Sequence, residues 1–312
     1  MEQETAVLFR RISTVLVPTD LSAESLKALT YAAALVQEFD ANLHVVHVNE
    51  VDFAQPGGYS LVTNPEIERS LQKQLEAATG GVITATSHGR TGRAFDQICR
   101  LAREITADLI VLSTHGRTGL KRLVLGSNAE RVVQHSSSPV LVVRQHEREF
   151  ISDGQLQMQR ILVPTDFSGS SQEALEYAVH FGRQFKARLV LLHSLSLPEF
   201  ISTDPYGPHN IRPTWDEARG AAERQMRDFV EGFDFGGVAF ETQITMGRTA
   251  EEICAYAKEH EIDLIITSTH GRTGFMHVLI GSVAEHIVRY AHSPVLVVPG
   301  SIKNSGASKR AG

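Results

Sequence analysis

Short runs of branched apolar residues and longer, helically spaced segments follow one another along this chain. Residues 12–17 form the first branched run and predict a strand. Residues 22–39 then place apolar side chains on one helical face, with Ser22 as N-cap and Ser25, Lys27 and Gln37 expected to face water. A second strand is predicted over 43–48, followed by a loop with Pro56-Gly57-Gly58 and a polar helix opening at Pro65. The pattern continues with a strand over 82–86, a helix over 93–105, a strand over 109–112, a helix over 127–135 and a strand over 140–143. Strictly alternating strands and helices predict crossover units on a parallel sheet covered on both faces.

The whole pattern occurs twice. Val15-Leu16-Val17-Pro18-Thr19-Asp20 returns 146 residues later as Ile161-Leu162-Val163-Pro164-Thr165-Asp166, and His47 returns as His193. Further on the spacing is 155, linking Cys99 with Cys254, Asp108 with Asp263, Gly116 with Gly271 and Gly126 with Gly281. The second copy therefore holds nine extra residues, assigned to 198–213, where four prolines predict a loop. The expected organisation is a domain over 1–148, a polar linker over 149–158, a second domain over 159–300 and a disordered tail over 301–312. Each domain is expected to be α/β and doubly wound, with a five-stranded parallel sheet flanked by helices in the Rossmann-like manner. Such sheets take ligands at the carboxyl ends of their strands, where the strand order reverses.

Composition narrows the function classes. A net charge of -6 over 312 residues argues against nucleic acid and against an anionic membrane as partner. No apolar run approaches the roughly 20 residues of a membrane span. Residues 1–10 do not read as a secretory leader, and two cysteines provide no disulfide framework, so a cytoplasmic protein is expected. Cys99 and Cys254 sit beside Ile98 and Ile253 on predicted helices and are expected to be packed thiols.

Candidate chemistry is concentrated in two related stretches. Ser113-Thr114-His115-Gly116-Arg117-Thr118-Gly119 follows a buried strand and runs on to Gly126-Ser127. Ser268-Thr269-His270-Gly271-Arg272-Thr273-Gly274 does the same before Gly281-Ser282. Strand, glycine-bearing loop and helix start make a phosphate site, because glycine admits close backbone approach and the first helical turn has unpaired N–H donors. Plainer alternatives stand beside this. Asp20 and Asp166 fit helix caps as well as ligand contacts, the Gly-Ser pairs fit simple helix starts, and Arg117 and Arg272 fit solvated loop charges. The repeated histidines, His47, His115, His193 and His270, have no metal-ligand spacing and are expected to bond loop backbone. Ser87-His88-Gly89-Arg90-Thr91-Gly92 mimics the loop but lacks a Gly-Ser nine residues on, and is read as a structural turn with Gly92 equivalent to Gly247. Walker, dinucleotide, zincin and nucleophile-elbow motifs are absent, and no base stands beside a nucleophile.

Together, Val-Pro-Thr-Asp after the first strand, histidine near the end of the second, and Thr-His-Gly-Arg-Thr-Gly leading to Gly-Ser resemble the universal stress protein family in its tandem form. The resemblance implies a fold of the adenine nucleotide alpha hydrolase-like kind, and ATP as ligand, carried with Mg²⁺. ATP-binding members carry G-x2-G-x9-G-[S/T]; here Gly116, Gly126 and Ser127 fit it, as do Gly271, Gly281 and Ser282. The first glycine is replaced by Ser113 and Ser268. By resemblance, Asp20 and Asp166 would contact adenine or ribose. Val48 would line the adenine slot, with Ser194 in its place in the second copy. Gly116 and Gly271 would border sugar and phosphates, while Gly126, Ser127, Gly281 and Ser282 would hold the phosphate tail. Asn128 and Val283 follow and differ between copies. With Lys121 and Arg122 where the second copy has Met276 and His277, the first site is the better supplied with positive charge. The implied function is regulatory: a stress-response protein that senses or stores adenine nucleotide, passes the signal to a protein partner, and pairs its halves through residues 140–143 and 295–298. Two tandem chains are expected to associate. Alternatives are a slow ATP hydrolase or self-phosphorylating enzyme using Ser127 or Ser282, and an interaction module without nucleotide.

Overall fold

The computed structural model describes residues 11–50, 65–81, 83–114, 126–144, 147–152, 155–196, 215–269 and 281–300. Its first half runs β1 (Thr14–Pro18), α1 (Ala23–Phe39), β2 (Asn42–Asn49), α2 (Pro65–Thr79), β3 (Ala85–Thr91), α3 (Ala94–Glu104), β4 (Leu109–Ser113), α4 (Ser127–His135) and β5 (Val140–Val143). A short ribbon, β6 (Ile151–Ser152) and β7 (Gln155–Leu156), joins it to the second half. That half runs β8 (Arg160–Pro164), α5 (Gly169–Phe185), β9 (Arg188–Leu195), α6 (Trp215–Glu231), β10 (Phe240–Met246), α7 (Thr249–Glu259), β11 (Leu264–Ser268), α8 (Ser282–Tyr290) and β12 (Val295–Val298). The mixed α/β class with parallel strands flanked by helices is as expected.

Local chemistry explains the boundaries. Ser22 caps α1 and Ser168 caps α5, each hydroxyl accepting from the backbone N–H three residues on. Asp40 and Lys186 end these helices in the left-handed region, at φ 52° and 53°. Asp108 fixes the start of β1 by accepting from Ser13 and Thr14 N–H at 2.9 and 3.0 Å. Asp263 fixes β8 the same way, through Gln159 and Arg160 at 2.8 and 3.0 Å.

Within each half the strands are parallel, in the order β3-β2-β1-β4-β5 and its repeat β10-β9-β8-β11-β12. β5 and β12 then pair antiparallel, Val140 with Val297, Leu141 with Leu296 and Val142 with Val295, so ten strands form one sheet. The apolar side chains on one face pack with α1, α2, α5 and α6, and those on the other with α3, α4, α7 and α8. Both layers run across the two halves. On the first face Phe39 of α1 meets Phe181 and Phe185 of α5 at ring separations of 5.7 and 5.9 Å.

Three expectations change. The third strand lies at 85–91, not 82–86, and absorbs the stretch read as a turn. Among the described residues β3 pairs only with β2, and at this edge, where the faces are incompletely covered, Ser87, His88 and Arg90 are tolerated. The turn itself is Gly92, at φ 136°, matched by Gly247 at φ 153°, and only glycine adopts this backbone freely. Ser25 does not face water: it is 3% exposed, its hydroxyl 2.8 Å from that of Thr19. Lys27 is likewise covered, paired with Glu149 at 2.9 Å and donating to the carbonyl of Arg144. The segment read as a polar linker supplies that cover, because Phe150 and Met158 are 1% and 3% exposed. Phe150 meets Tyr31 edge-on at 4.9 Å. The proline-rich insertion at 198–213 and the tail at 301–312 lie outside the described residues.

Polar groups are buried with that segment. The Arg144 guanidinium bonds the carbonyls of Val288 at 2.6 Å and Arg289 at 2.8 Å, closing the C-terminus of α8. Glu147 accepts from the Arg144 N–H at 2.8 Å, while its second oxygen has no partner among the described residues. Lys27 and Arg144 face it as cations, and Tyr31 and Glu149 as acids. Burial outweighs the cations and pushes its carboxyl from 4.5 up to about 8. A carboxyl raised by folding contributes stability fully below its unfolded value and loses it as pH climbs to the folded one. Wild type should therefore lose stability between pH 5 and 8 relative to Glu147→Gln, by up to a few kcal/mol at roughly 1.4 kcal/mol per pH unit. Melting curves of both proteins across this range test it, and a constant difference in Tm refutes it.

Candidate functional site

β1 and β4 lie side by side with no crossover between them, since β1 leads to β2 on one side and β4 to β5 on the other. Chain departing in opposite directions leaves a crevice at their carboxyl ends. A cavity of about 480 Å³ opens there. Asp20 after β1, Val48 of β2, Ser113 of β4, and Gly126, Ser127 and Asn128 at the start of α4 all line it. Six of the first half's candidate site residues thus meet in one place. Gly116 and Arg117, with Gly271 and Arg272 of the second half, lie outside the described residues, as do His115, His270, Lys121 and Arg122.

The turn after β1 is strained and tightly braced. Leu21 sits in the left-handed region at φ 67°, unusual for a branched side chain. Asp20 Oδ1 accepts from the Ser22 N–H at 3.1 Å and its hydroxyl at 2.6 Å. Thr19 Oγ1 accepts from the Leu21 N–H at 3.0 Å, and His47 Nδ1 lies 2.8 Å from the Thr19 carbonyl. The second half repeats this at Asp166, Phe167 (φ 64°), Ser168 and His193, although there Ser171 supplies the 2.6 Å hydroxyl. Serine, not aspartate, caps each helix; the aspartate holds the turn before it. His47 and His193 bond loop backbone, as expected. Among the described residues no group of three or more His, Cys, Asp or Glu could hold a metal ion. Burial pushes the Cys99 and Cys254 thiols up to about 11, which keeps them protonated and unreactive.

Gly126 is the N-cap of α4, and Ser127 is its first helical residue rather than the cap itself. Glycine at the cap supplies no side-chain bond to this N-terminus, and Gly281 supplies none to that of α8. The first-turn N–H groups, which have no partner within the helix, lie at the crevice end of α4. Neither Ser113 nor Ser268 has positive φ, so serine in place of the motif's first glycine carries no backbone penalty.

The cavity also holds residues that the sequence reading passed over. Ala94 and Ile98 bring the start of α3 into the wall, and the exposed Glu50 also lines it. Glu50 Oε1 accepts from the Ala94 N–H at 3.1 Å and the Asn128 amide at 3.2 Å, tying α3 to α4. Gly92-Arg93, recognisable as a turn, was the available signal that a helix start follows there.

In the second half Asp166, Ser194, Ser268, Gly281, Ser282 and Val283 take the equivalent places around β8, β9, β11 and α8. The wall is more polar. Ser194 stands for Val48 and Thr267 for Leu112, while Ser196, 2.8 Å from the Thr249 hydroxyl, stands for Glu50. The Ser194 hydroxyl is buried with no partner among the described residues, as is that of its cross-strand neighbour Thr245.

The sequence profile of the universal stress protein family matches residues 11–144 and again 158–299. The chain belongs to the universal stress protein family. A universal stress protein of Mycolicibacterium smegmatis is 27% identical over 295 residues, covering 91% of this chain and 96% of that one. One from Methanocaldococcus jannaschii is 32% identical over 149 residues, covering 47% of this chain and 86% of its own length. The crystal structure of an Archaeoglobus fulgidus universal stress protein superposes with TM-score 0.62 at 21% identity, over 94% of this chain and 98% of that one, which shows the common fold. No helix among the described residues is long and apolar enough to cross a membrane.

In this tandem universal stress protein the two motif glycines differ in their steric surroundings. A Cβ on Gly126 would lie 2.8 Å from the Thr114 carbonyl oxygen, whereas one on Gly281 would lie 3.4 Å from that of Thr269. Gly126→Ala should therefore cost about 1–3 kcal/mol through forced backbone movement, and Gly281→Ala well under 1 kcal/mol. Urea denaturation of both variants checks this, and equal losses would contradict it.

Proposed function

We propose that the first half binds an adenine nucleotide and that the protein acts as a cytoplasmic regulator whose state follows nucleotide occupancy. The observation that carries this is the convergence of Asp20, Val48, Ser113, Gly126, Ser127 and Asn128 on one cavity at the strand-order reversal. Its volume, about 480 Å³, falls within the range of small-ligand pockets, roughly 300–1,000 Å³. One side is apolar, with Val46, Val48, Ile98 and Leu112, and suits the faces of a base. The start of α4, capped by Gly126 without a side-chain bond, also lines the cavity, and its backbone N–H groups suit phosphate. Asp20 stands at the end of β1, placed for ribose or adenine. Mg²⁺ would arrive with the phosphates of ATP, and Asp20 and Glu50 are the lining carboxylates that fit its preference for hard oxygen donors.

The two halves are not equivalent under this reading. An adenine face laid over Ser194 and Thr267 would leave hydroxyls without partners, whereas Val48 and Leu112 accept it freely. The first half is the nucleotide site, and the second binds adenine nucleotide more weakly. Signalling to a protein partner and association of two chains belong to the same proposal.

Calorimetric titration tests it. Wild type should take up one equivalent of ATP with Mg²⁺, and Ser282→Glu should behave alike. Ser127→Glu, which sets a carboxylate at the start of α4, should weaken uptake at least about tenfold through charge repulsion at the helix start. Absence of heat and of thermal shift with both ATP and adenosine overturns the nucleotide reading. Release of inorganic phosphate during titration would identify the slow-hydrolase alternative.

A further inference from the structure

Glu50 stands where a phosphate tail would compete with it. Its carboxylate takes the Ala94 N–H at the start of α3 and the Asn128 amide at the start of α4, at 3.1 and 3.2 Å, on the rim of the first-half cavity. These are the donor types an incoming phosphate oxygen uses. The described lining residues add a second carboxylate, Asp20, and no lysine or arginine. In the second half the same position is Ser196, bonded to the Thr249 hydroxyl at 2.8 Å, so no charge stands there. The acid at 50 is thus not demanded by the turn-and-helix geometry that both halves share.

We propose that Glu50 is a charge filter: it occupies the phosphate end of the first-half site and sets its preference toward adenine ligands of low negative charge over bare polyphosphates. This rests on the nucleotide reading and adds the ligand's charge state to it. A polyphosphate must displace Glu50 from both donors or lie beside it. At contact distances near 4 Å in a wet site, one like charge lowers affinity about tenfold or more. Adenosine bears no such charge and is unaffected. A divalent cation bound to the polyphosphate cancels the repulsion, so occupancy by ATP depends on the metal.

The experiment compares adenosine, AMP and ATP, each titrated in EDTA at low salt into wild type, Glu50→Gln and Glu50→Asp, with circular dichroism to verify folding. Gln keeps an oxygen that can accept from Ala94 while removing the charge, and Asp keeps the charge. The ratio of ATP Kd to adenosine Kd should fall at least about tenfold in Glu50→Gln and stay near wild type in Glu50→Asp. With Mg²⁺ in excess, the difference between Gln and wild type should narrow. If all three proteins bind adenosine with an unchanged ATP-to-adenosine ratio, the filter is refuted while the nucleotide reading survives. If none binds adenosine or ATP, the nucleotide reading falls and the filter with it.

Discussion

The antiparallel pairing of β5 with β12 holds the rest in place. Both strands are apolar throughout, Val140-Leu141-Val142-Val143 against Val295-Leu296-Val297-Val298, and every one of these residues is buried. A strand apolar on both faces cannot serve as a sheet edge in water without inviting aggregation. Pairing the two makes each a central strand and leaves the polar β3 and β10 as the outer edges. It also continues the two apolar layers from one half into the other. The side chains just after β5 then land on the second half, so Arg144 closes α8 and Phe150 and Met158 sink into the shared layer.

That central pairing fixes the sheet, and the sheet fixes the site. With β4 and β5 on one side of β1 and β2 on the other, the carboxyl end of β1 is where the chain divides. The turn there is held in a conformation that costs energy, with Leu21 and Phe167 left-handed. Carboxylate, threonine and histidine contacts from three sides overdetermine it. Asp20 therefore has a structural duty through Oδ1 whatever it does for a ligand. The same dual character marks Gly126, which is small because the Thr114 carbonyl crowds it and open because no side chain caps the helix behind it.

Much of this was legible in the sequence, for identifiable reasons. β5 and α4 fall at the expected residues, 140–143 and 127–135, because a four-residue apolar run after Pro139 and a helix opening behind Gly126 are strong local signals. Duplication made the repeat visible, and the parallel-sheet reading put the ligand end at the carboxyl ends of the strands, where Asp20 stands. Errors arose where tertiary placement decides. Ser87-His88-Gly89-Arg90 reads as a turn by composition, yet a strand bonded on one side only needs no apolar alternation. Residues 149–158 read as a polar linker from composition, and the burial of Phe150 there depends on Tyr31 of α1 arriving beside it. Glu50 escaped notice because its meaning comes from Ala94 and Asn128, 44 and 78 residues away.

The duplication also separates scaffold from specificity without any other sequence. Contacts that build the turn recur in both halves, Asp20 and Asp166, His47 and His193, as do those that fix the start of the first strand, Asp108 and Asp263. Some positions that line the crevice differ, Val48 and Ser194, Glu50 and Ser196, Leu112 and Thr267, Asn128 and Val283, while Asp20, Ser113, Gly126 and Ser127 line it and recur. Both sets are carried by the same strands and helices, so backbone geometry cannot be the cause of the difference. Residues that must brace a left-handed turn have few alternatives, because replacing one leaves buried partners unsatisfied. Residues that only touch what enters the crevice are free of that demand, and they have taken apolar and charged character in one half and hydroxyl character in the other. A fold that keeps its supports and exchanges part of its lining is suited to two sites of unlike preference on one continuous sheet.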